Sequence, residues 1–405
     1  MSGRAFAADL PAPAVISPEP VVNWAGLYAG SFVGGAIGSF ATRQNVAESR
    51  VALGAATGAL VGYNWQNGAL VYGLDGDIGS NYLTRKFGAA AGVVANEAES
   101  IYAMHARARV GYDVGGFMPF VAGGLAYDKT DQFQRAPLDF DGEARNRAGW
   151  TLGAGVDAKV NLPLLGPSVV RAEYLYEGLP ATSYDLKGPS LRTDMSIHYA
   201  RVALISTMSE VRHGSPETDT TDWAGNYVGA IGGGARQAVS THGLGVADTF
   251  SAGGPIGGVY SGYNWMHGDS MLGVDGATML ADVVGHGAQP GAASTDYWNF
   301  LESDFRGRAG YAVGRFLPFV AAGLDFGSSQ QVDNATQNTK ANLPVLAGTF
   351  GAGVDYMATD LIAIRAEYLH ARSLIGESTH LDSDVCCGQT RTGNSVRLGA
   401  AYFFH

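Results

Sequence analysis

The chain has 405 residues, 58 of them glycine, with 46% apolar, 10% aromatic and only 16% charged residues; such a chain can bury a core, so it is not disordered, and without a Gly-X-Y period it is not collagen-like. A net charge of −11 and a pI near 5.2 speak against a nucleic-acid partner, which calls for a basic face. No run of 18 or more apolar residues offers a transmembrane helix, and the two cysteines, Cys386 and Cys387, are adjacent, which excludes a disulfide scaffold and a Cys-based zinc site. Abundant interior glycine disfavours long helices, leaving a sheet protein, and a β-barrel is compatible because its strands alternate rather than run apolar.

Residues 1–23 read as a signal-peptide remnant followed by a Pro-rich linker. Ala5-Phe6-Ala7 fits a signal-peptidase site, with cleavage expected after Ala7. A full signal needs 7–15 apolar residues ahead of that site, so the true start is expected upstream. The competing reading is a disordered alanine-rich tail.

From Trp24 the chain is written twice. Trp24-Ala-Gly-Leu-Tyr28 recurs as Trp223-Ala-Gly-Asn-Tyr227, and Gly62-Tyr-Asn-Trp65 as Gly262-Tyr-Asn-Trp265. Gly73-Leu-Asp-Gly76, Arg107-Ala-Arg-Val-Gly-Tyr112, Pro119-Phe-Val-Ala122, Gly153-Ala-Gly-Val-Asp157 and Arg171-Ala-Glu-Tyr-Leu175 each have a counterpart in the same order in the second half. The repeats are assigned to 24–208 and 223–405, joined by a polar linker over 209–222. Each copy is too long for a solenoid unit and should close by itself.

Copy one divides into eight strands near 24–38, 53–66, 69–80, 100–114, 117–128, 148–160, 168–177 and 195–208. Short joints at Asn67-Gly68, at Gly115-Gly116 and through Pro163-Leu-Leu-Gly-Pro167 alternate with connections of about 14 to 20 residues. Copy two repeats the short joints at His267-Gly268, Gly314-Arg315 and Thr359-Asp360. Short turns on one rim and long loops on the other describe an outer-membrane barrel, with the turns periplasmic. The long loops fall at 40–52, 81–99, 129–147, 178–194, 239–254, 282–297, 329–346 and 373–393. They hold few Lys or Arg clusters, so no lipopolysaccharide-clamping patch is expected in them.

The faces are sorted by the period of two. In strand six Trp150, Leu152, Ala154, Val156, Ala158 and Val160 alternate with Thr151, Gly153, Gly155, Asp157 and Lys159. One face suits lipid and the other a polar interior, where charges balance. Asp75, Asp77, Asp157 and Glu173 face Arg107, Arg109, Arg171 and Arg201 in copy one; Asp275, Asp325, Asp355 and Glu367 face Arg306, Arg308, Arg365 and Arg397 in copy two. Only five of the 26 basic residues are lysine, as an interior network of planar, bidentate guanidinium groups favours. A soluble β-sandwich would show the alternation but not this matched interior charge.

On these residues the sequence resembles the outer-membrane immunogenic protein family, small porin-like β-barrels of Gram-negative bacteria. The resembling features are Ala8-Asp-Leu-Pro11, the Trp-x-Gly-x-Tyr openings, the Gly-Tyr-Asn-Trp strand, the Arg-x-Arg-x-Gly-Tyr strand with its Pro-Phe-Val partner, and Arg-Ala-Glu-Tyr. The resemblance implies an eight-stranded barrel in the bacterial outer membrane, surface-exposed loops, and no cofactor or established chemistry. The partners it implies are outer-membrane lipid and lipopolysaccharide, surface ligands at the loops, and the barrel assembly machinery, which reads a C-terminal aromatic. Here Tyr402-Phe-Phe404 is followed by His405.

The expected fold is all-β, two tandem eight-stranded antiparallel barrels, with one sixteen-stranded barrel as the alternative. The function follows the choice, since sixteen strands enclose an aqueous channel for small solutes and eight do not. The first reading is a structural surface barrel with loops open to host or ligand contact. A remote third is a lipid-modifying barrel enzyme using His105, or His198 with nearby Ser196, though neither arrangement repeats in copy two. Cys386 and Cys387 fall in the last long loop, where intermolecular pairing or a metal contact competes with incidental exposure.

Overall fold

A computed structural model describes residues 23–43, 47–87, 95–136, 139–162, 166–185, 191–207, 221–243, 246–287, 295–333, 339–374, 377–379 and 387–404. The cleavage site, most of the linker and Cys386 lie outside the described residues. Eight strands, β1 (Gly26–Arg43), β2 (Ala47–Asn67), β3 (Leu70–Phe87), β4 (Ala95–Tyr112), β5 (Phe117–Ala136), β6 (Asp139–Leu162), β7 (Gly166–Tyr184) and β8 (Leu191–Thr207), each pair with the next. Strand β8 returns to β1 from Tyr28↔Thr207 through Arg43↔Arg192, closing the first barrel.

The second barrel comprises β9 (Gly225–Gly243), β10 (Val246–His267), β11 (Ser270–Gly287), β12 (Thr295–Tyr311), β13 (Phe316–Asp333), β14 (Thr339–Met357), β15 (Ile362–Ser373) and β17 (Cys387–Phe404). It closes where β17 pairs with both β15 and β9. The three-residue β16 (Glu377–Thr379) extends the line of β15 along β17. Because β8 pairs with β1 rather than β9, the chain forms two barrels, and the sixteen-stranded alternative is overturned.

Apart from β16, the strands run 12 to 24 residues, longer than the ~9–11 needed to cross a membrane at a tilt. Segments expected as long loops are therefore mostly hairpin. The stretch 129–147 is strand on both sides of residues 137–138, because polar side chains do not interrupt a ladder whose bonds are all backbone. At the other rim, Gly68 and Gly268 take φ of +61° and +59° in two-residue turns, the left-handed conformation that twisted hairpins require.

The walls are sorted as alternation demands. Leu53, Leu74, Val121, Leu125 and Leu152 in the first barrel and Leu272, Val320, Val396 and Leu398 in the second point outward and are exposed. Aromatics cluster outside near the short turns: Trp65 stacks on Tyr72 with ring centres 5.9 Å apart, and Tyr263 lies 5.0 Å from Trp265. This is the girdle of a membrane–water boundary. Inward, Tyr28 lies against Gly62 and Phe120 against Gly155, and a Cβ at either glycine would overlap the ring. The same pairs recur as Tyr227 with Gly262 and Phe319 with Gly353.

Candidate functional site: two charge-filled lumens

The recurring Trp-x-Gly-x-Tyr motif closes the turn-side mouth of each barrel. Trp24 is buried, donates from Nε1 to Asp113 Oδ1 at 2.9 Å, and accepts at its carbonyl from Asn64 Nδ2 at 3.2 Å. Lys159 Nζ donates to the Asn23 carbonyl at 2.6 Å and lies 5.2 Å over the Trp24 ring. In the second barrel Trp223 donates to the Gly314 carbonyl at 3.3 Å, accepts from Asn264 at 3.0 Å, and packs edge-on against Phe403.

Above Trp24, Arg171 forks onto Asp157 from Nε and Nη2 at 2.7 and 3.0 Å, and its Nη1 crosses the lumen to Asp75 at 3.2 Å. Arg109 donates to Asp157 at 2.8 Å and to the Tyr28 hydroxyl at 3.0 Å, with its guanidinium 4.0 Å above the Phe120 ring. The next layer has Arg107 donating to Asp75 at 2.9 Å and Glu173 at 2.6 Å, while Arg201 donates to Glu173 at 2.7 Å and Asp77 at 3.1 Å. All eight first-copy residues named from the sequence thus form one network, its side chains 3% exposed or less. Burial of so many charges is tolerable only because planar, forked donors meet matched carboxylates.

The second barrel repeats the lower layers. Arg365 forks onto Asp355 at 2.7 and 3.0 Å and crosses to Asp275 at 2.8 Å. Arg308 donates to Asp355 at 2.7 Å and to the Tyr227 hydroxyl at 2.6 Å, and Arg306 reaches Asp275 at 2.9 Å and Glu367 at 3.2 Å.

The two lumens part at the third layer. Asp77 on β3 faces His105 on β4, whose Nδ1 lies 2.7 Å from it and whose Nε2 lies 3.3 Å from Glu177. The corresponding cross-strand pair in the second barrel is Ala277 with Asp304. The acid has moved one strand over, and Arg397, the counterpart of Arg201, bonds Asp304 at 2.6 Å. Asp325, set from the sequence against Arg306, Arg308, Arg365 and Arg397 as a group, instead meets Arg391 at 3.2 Å, together with Glu302 at 3.6 Å from that arginine.

Sequence reasoning missed Asp304, Glu302, Arg391 and Glu177 as lumen charges, and left His105 out of the charge network, naming it only as a remote catalytic candidate against a packed strand residue. Arg391 was set within a loop, and Asp304 was hidden because its counterpart is a histidine. The period of two would have found both. Above His105 the first lumen continues as Tyr199 donating to Glu177 at 3.0 Å, with Asn81 bonding Ser100, Asp128 and Tyr199. In the second, Gln237, Glu302, Asp325 and Arg391 line a cavity of about 20 Å³, room for one water. His198 faces outward, its Nδ1 2.6 Å from the Tyr174 hydroxyl.

Apolar outer walls, an aromatic girdle and polar, charge-paired interiors define a β-barrel protein of the bacterial outer membrane. The family model described as "Outer membrane protein beta-barrel domain" matches residues 203–404. The chain is 32% identical over 208 residues to a 25 kDa outer-membrane immunogenic protein of Brucella canis, covering 50% of this chain and 90% of that one. It is 30% identical over 198 residues to a 22 kDa outer membrane protein of Rhizobium leguminosarum bv. viciae, covering 47% and 82%. Among solved structures, Neisserial surface protein A aligns with 44% of this chain and 98% of its own, at 14% identity and a TM-score of 0.26. The chain belongs to the outer-membrane immunogenic protein family and carries its barrel in tandem.

Proposed function

We propose that the protein is a non-conducting, non-catalytic structural component of the outer membrane that presents its extended hairpins at the cell surface. The observation that carries this reading is the filling of both lumens. An eight-stranded barrel is only wide enough for side chains, and here guanidinium–carboxylate layers span it from wall to wall. His105, the one lumen histidine with two acidic neighbours among the described residues, is packed among them rather than opened to a substrate cleft. The strand ends that outrun the membrane supply the surface for host or ligand contact, since rigid scaffolds carry recognition on their projecting segments. The assembly machinery is served by β17, which ends the described chain in Tyr402, Phe403 and Phe404.

The test is single-channel recording in planar bilayers with the whole purified chain. Folded protein is expected to insert without stable conductance steps, and reproducible steps of porin size would overturn the reading.

A further inference from the structure

The outer wall of the second barrel is not uniformly apolar. On β15 the outward residues climb from the turn side as Ile362, Ile364, Ala366 and Tyr368, then change to His370 and Arg372. Across the ladders, His370 pairs with Asn394 of β17 and Asn394 with Arg236 of β9, so the three share one row, and Arg372 lies one outward step higher. Arg236 and Arg372 are both exposed, and backbones two strands apart stand only about 10 Å from each other. Asn394 Oδ1 accepts from the Tyr368 hydroxyl at 2.6 Å and lies 2.9 Å from His370 Nδ1, which ties the row together. The carboxylate of Asp282, two strands from Arg236 on the other side, accepts from Trp298 Nε1 at 3.1 Å.

The height of this row is informative. Ten residues from Ile362 to Arg372 span about 33 Å of strand, or about 25 Å of height at a tilt near 40°, which matches the apolar band of an outer-membrane barrel. The arginines therefore sit at the outer edge of the hydrocarbon, where the phosphates of outer-leaflet lipid lie.

Below Arg236 the wall is bare. Outward positions Gly232 and Gly234 on β9 stand beside Gly257 and Pro255 on β10, and Gly253 pairs with Arg236 itself. A Cβ at Gly232, Gly234, Gly253 or Gly257 would meet nothing closer than 3.5 Å, so packing does not require glycine there. What the glycines leave is a trough walled by Val396 and Leu398 on one side and by Leu280, Asp282 and Val284 on the other, the Asp282 carboxylate being bonded to Trp298 on the strand beyond. In the first barrel the matching positions are Val33, Gly35, Leu53 and Thr57 in the trough, and Ile37, Tyr176, Gly178 and His198 at its head. The feature belongs to the second barrel alone.

We infer that Arg236 and Arg372, with His370 and Asn394, hold the phosphorylated sugar head of an outer-leaflet glycolipid of the lipid A class, one of whose acyl chains lies in the glycine trough. The arginines match phosphate by charge and by their forked donors, and the trough below accepts a chain without displacing protein.

Purified full-length protein in zwitterionic detergent is titrated with purified lipid A, reading retained lipid by mass spectrometry and the thermal unfolding midpoint. Arg236→Gln with Arg372→Gln is expected to weaken binding about thirtyfold, at about a tenfold change per 1.4 kcal/mol and about 1 kcal/mol for each arginine. Arg236→Lys with Arg372→Lys should retain most of it, and lipid A stripped of phosphate should bind the natural chain as poorly as the glutamine variant binds lipid A. Gly232→Leu with Gly234→Leu should lose binding with both arginines present. Arg43→Gln with Arg192→Gln, a cross-strand pair in the first barrel, should change nothing. Folding of each variant is checked by its heat-shifted mobility in gels. Lipid A affinity unchanged in the folded arginine double variant, or lost equally in the Arg43 and Arg192 control, overturns the inference. Neither readout depends on conductance, so the inference and the closed-lumen reading fail separately.

Discussion

The relocated acid of the third lumen layer gives a quantitative test of how these interiors are held together. Asp77→Ala removes two hydrogen bonds from Arg201, at 3.1 and 3.2 Å, an ion-pair contact with Arg107 at 3.4 Å and the 2.7 Å contact with His105. Arg201 keeps Glu173 at 2.7 Å, so the cost should sit near the low end of the ~3–5 kcal/mol expected for breaking a buried pair from one side. His105→Asp alone places a carboxylate beside Asp77 and removes the imidazole that lies 3.3 Å from Glu177, and should cost at least as much. The double variant recreates the cross-strand pair of Ala277 and Asp304, in which one carboxylate serves Arg397 at 2.6 Å and Arg306 at 3.1 Å, while keeping Glu177 where the second barrel has Ala371. It should be more stable than the sum of the singles by about 3 kcal/mol, within the range of couplings measured for residues in one network. The assay is urea unfolding of refolded protein in micelles, followed by tryptophan fluorescence. Strict additivity of the two substitutions would refute the reasoning, because it would mean that the strand on which the acid sits does not matter.

Other expectations follow from the same geometry. Trp24→Ala should cost about 3–5 kcal/mol by emptying the turn-side mouth, yet leave planar bilayers silent because the Arg109 and Arg171 layer lies behind it. Gly62→Ala should destabilise by about 1–3 kcal/mol through overlap with the Tyr28 ring, whereas Gly232→Ala should be nearly neutral in the same unfolding assay. Raising NaCl from 0.05 to about 0.5 M should hardly move the unfolding midpoint, because screening acts on exposed pairs and these are buried; a fall of many degrees would place the stabilising charges at the surface instead.

The fold was legible because its constraints are local. Alternation fixes which face each residue takes, so the outward Trp150 and Leu152 and the inward Asp157 could be sorted without knowing any partner. Tight-turn chemistry at Asn67-Gly68 and His267-Gly268 set where hairpins reverse. The opposite rim was less legible, since Asp128, Thr130 and Asp131 are polar enough to read as loop and yet stay on the β5 ladder. Within the lumen, composition announced an ion-pair network but not its wiring, which depends on side chains reaching across from strands remote in sequence. His105 illustrates the limit: alternation places it on the inner face, but its neighbours Asp77 and Glu177 come from strands that the sequence alone does not bring together. The glycines carried two meanings that sequence could not separate, room for an inward ring at Gly62 and a bare outer wall at Gly232.

Closure at eight strands follows from the lumen rather than from the linker. Arg171 on β7 reaches Asp75 on β3 at 3.2 Å, and Arg365 on β15 reaches Asp275 on β11 at 2.8 Å. In each case the partners stand on opposite walls, half the circumference apart, and one arginine side chain bridges them. Barrel diameter grows roughly in proportion to strand number, so a single ring of both copies would be about twice as wide and would pull these walls beyond reach of any side chain. The adjacent-strand pairs, such as Asp157 with Arg171 and Asp355 with Arg365, would survive, but the contacts that bridge the lumen, Arg171 with Asp75, Arg107 with Glu173 and Arg201 with Asp77 in the first barrel and Arg365 with Asp275, Arg306 with Glu367 and Arg397 with Asp304 in the second, would be lost, each broken buried pair costing several kcal/mol. Each copy also carries its own Trp-x-Gly-x-Tyr strand, whose Tyr28 or Tyr227 hydroxyl accepts from an arginine of the same copy. The duplicated sequence thus specifies two filled barrels because the arginines that tie each network across its lumen reach their acids only where opposite walls stand as close as eight strands place them.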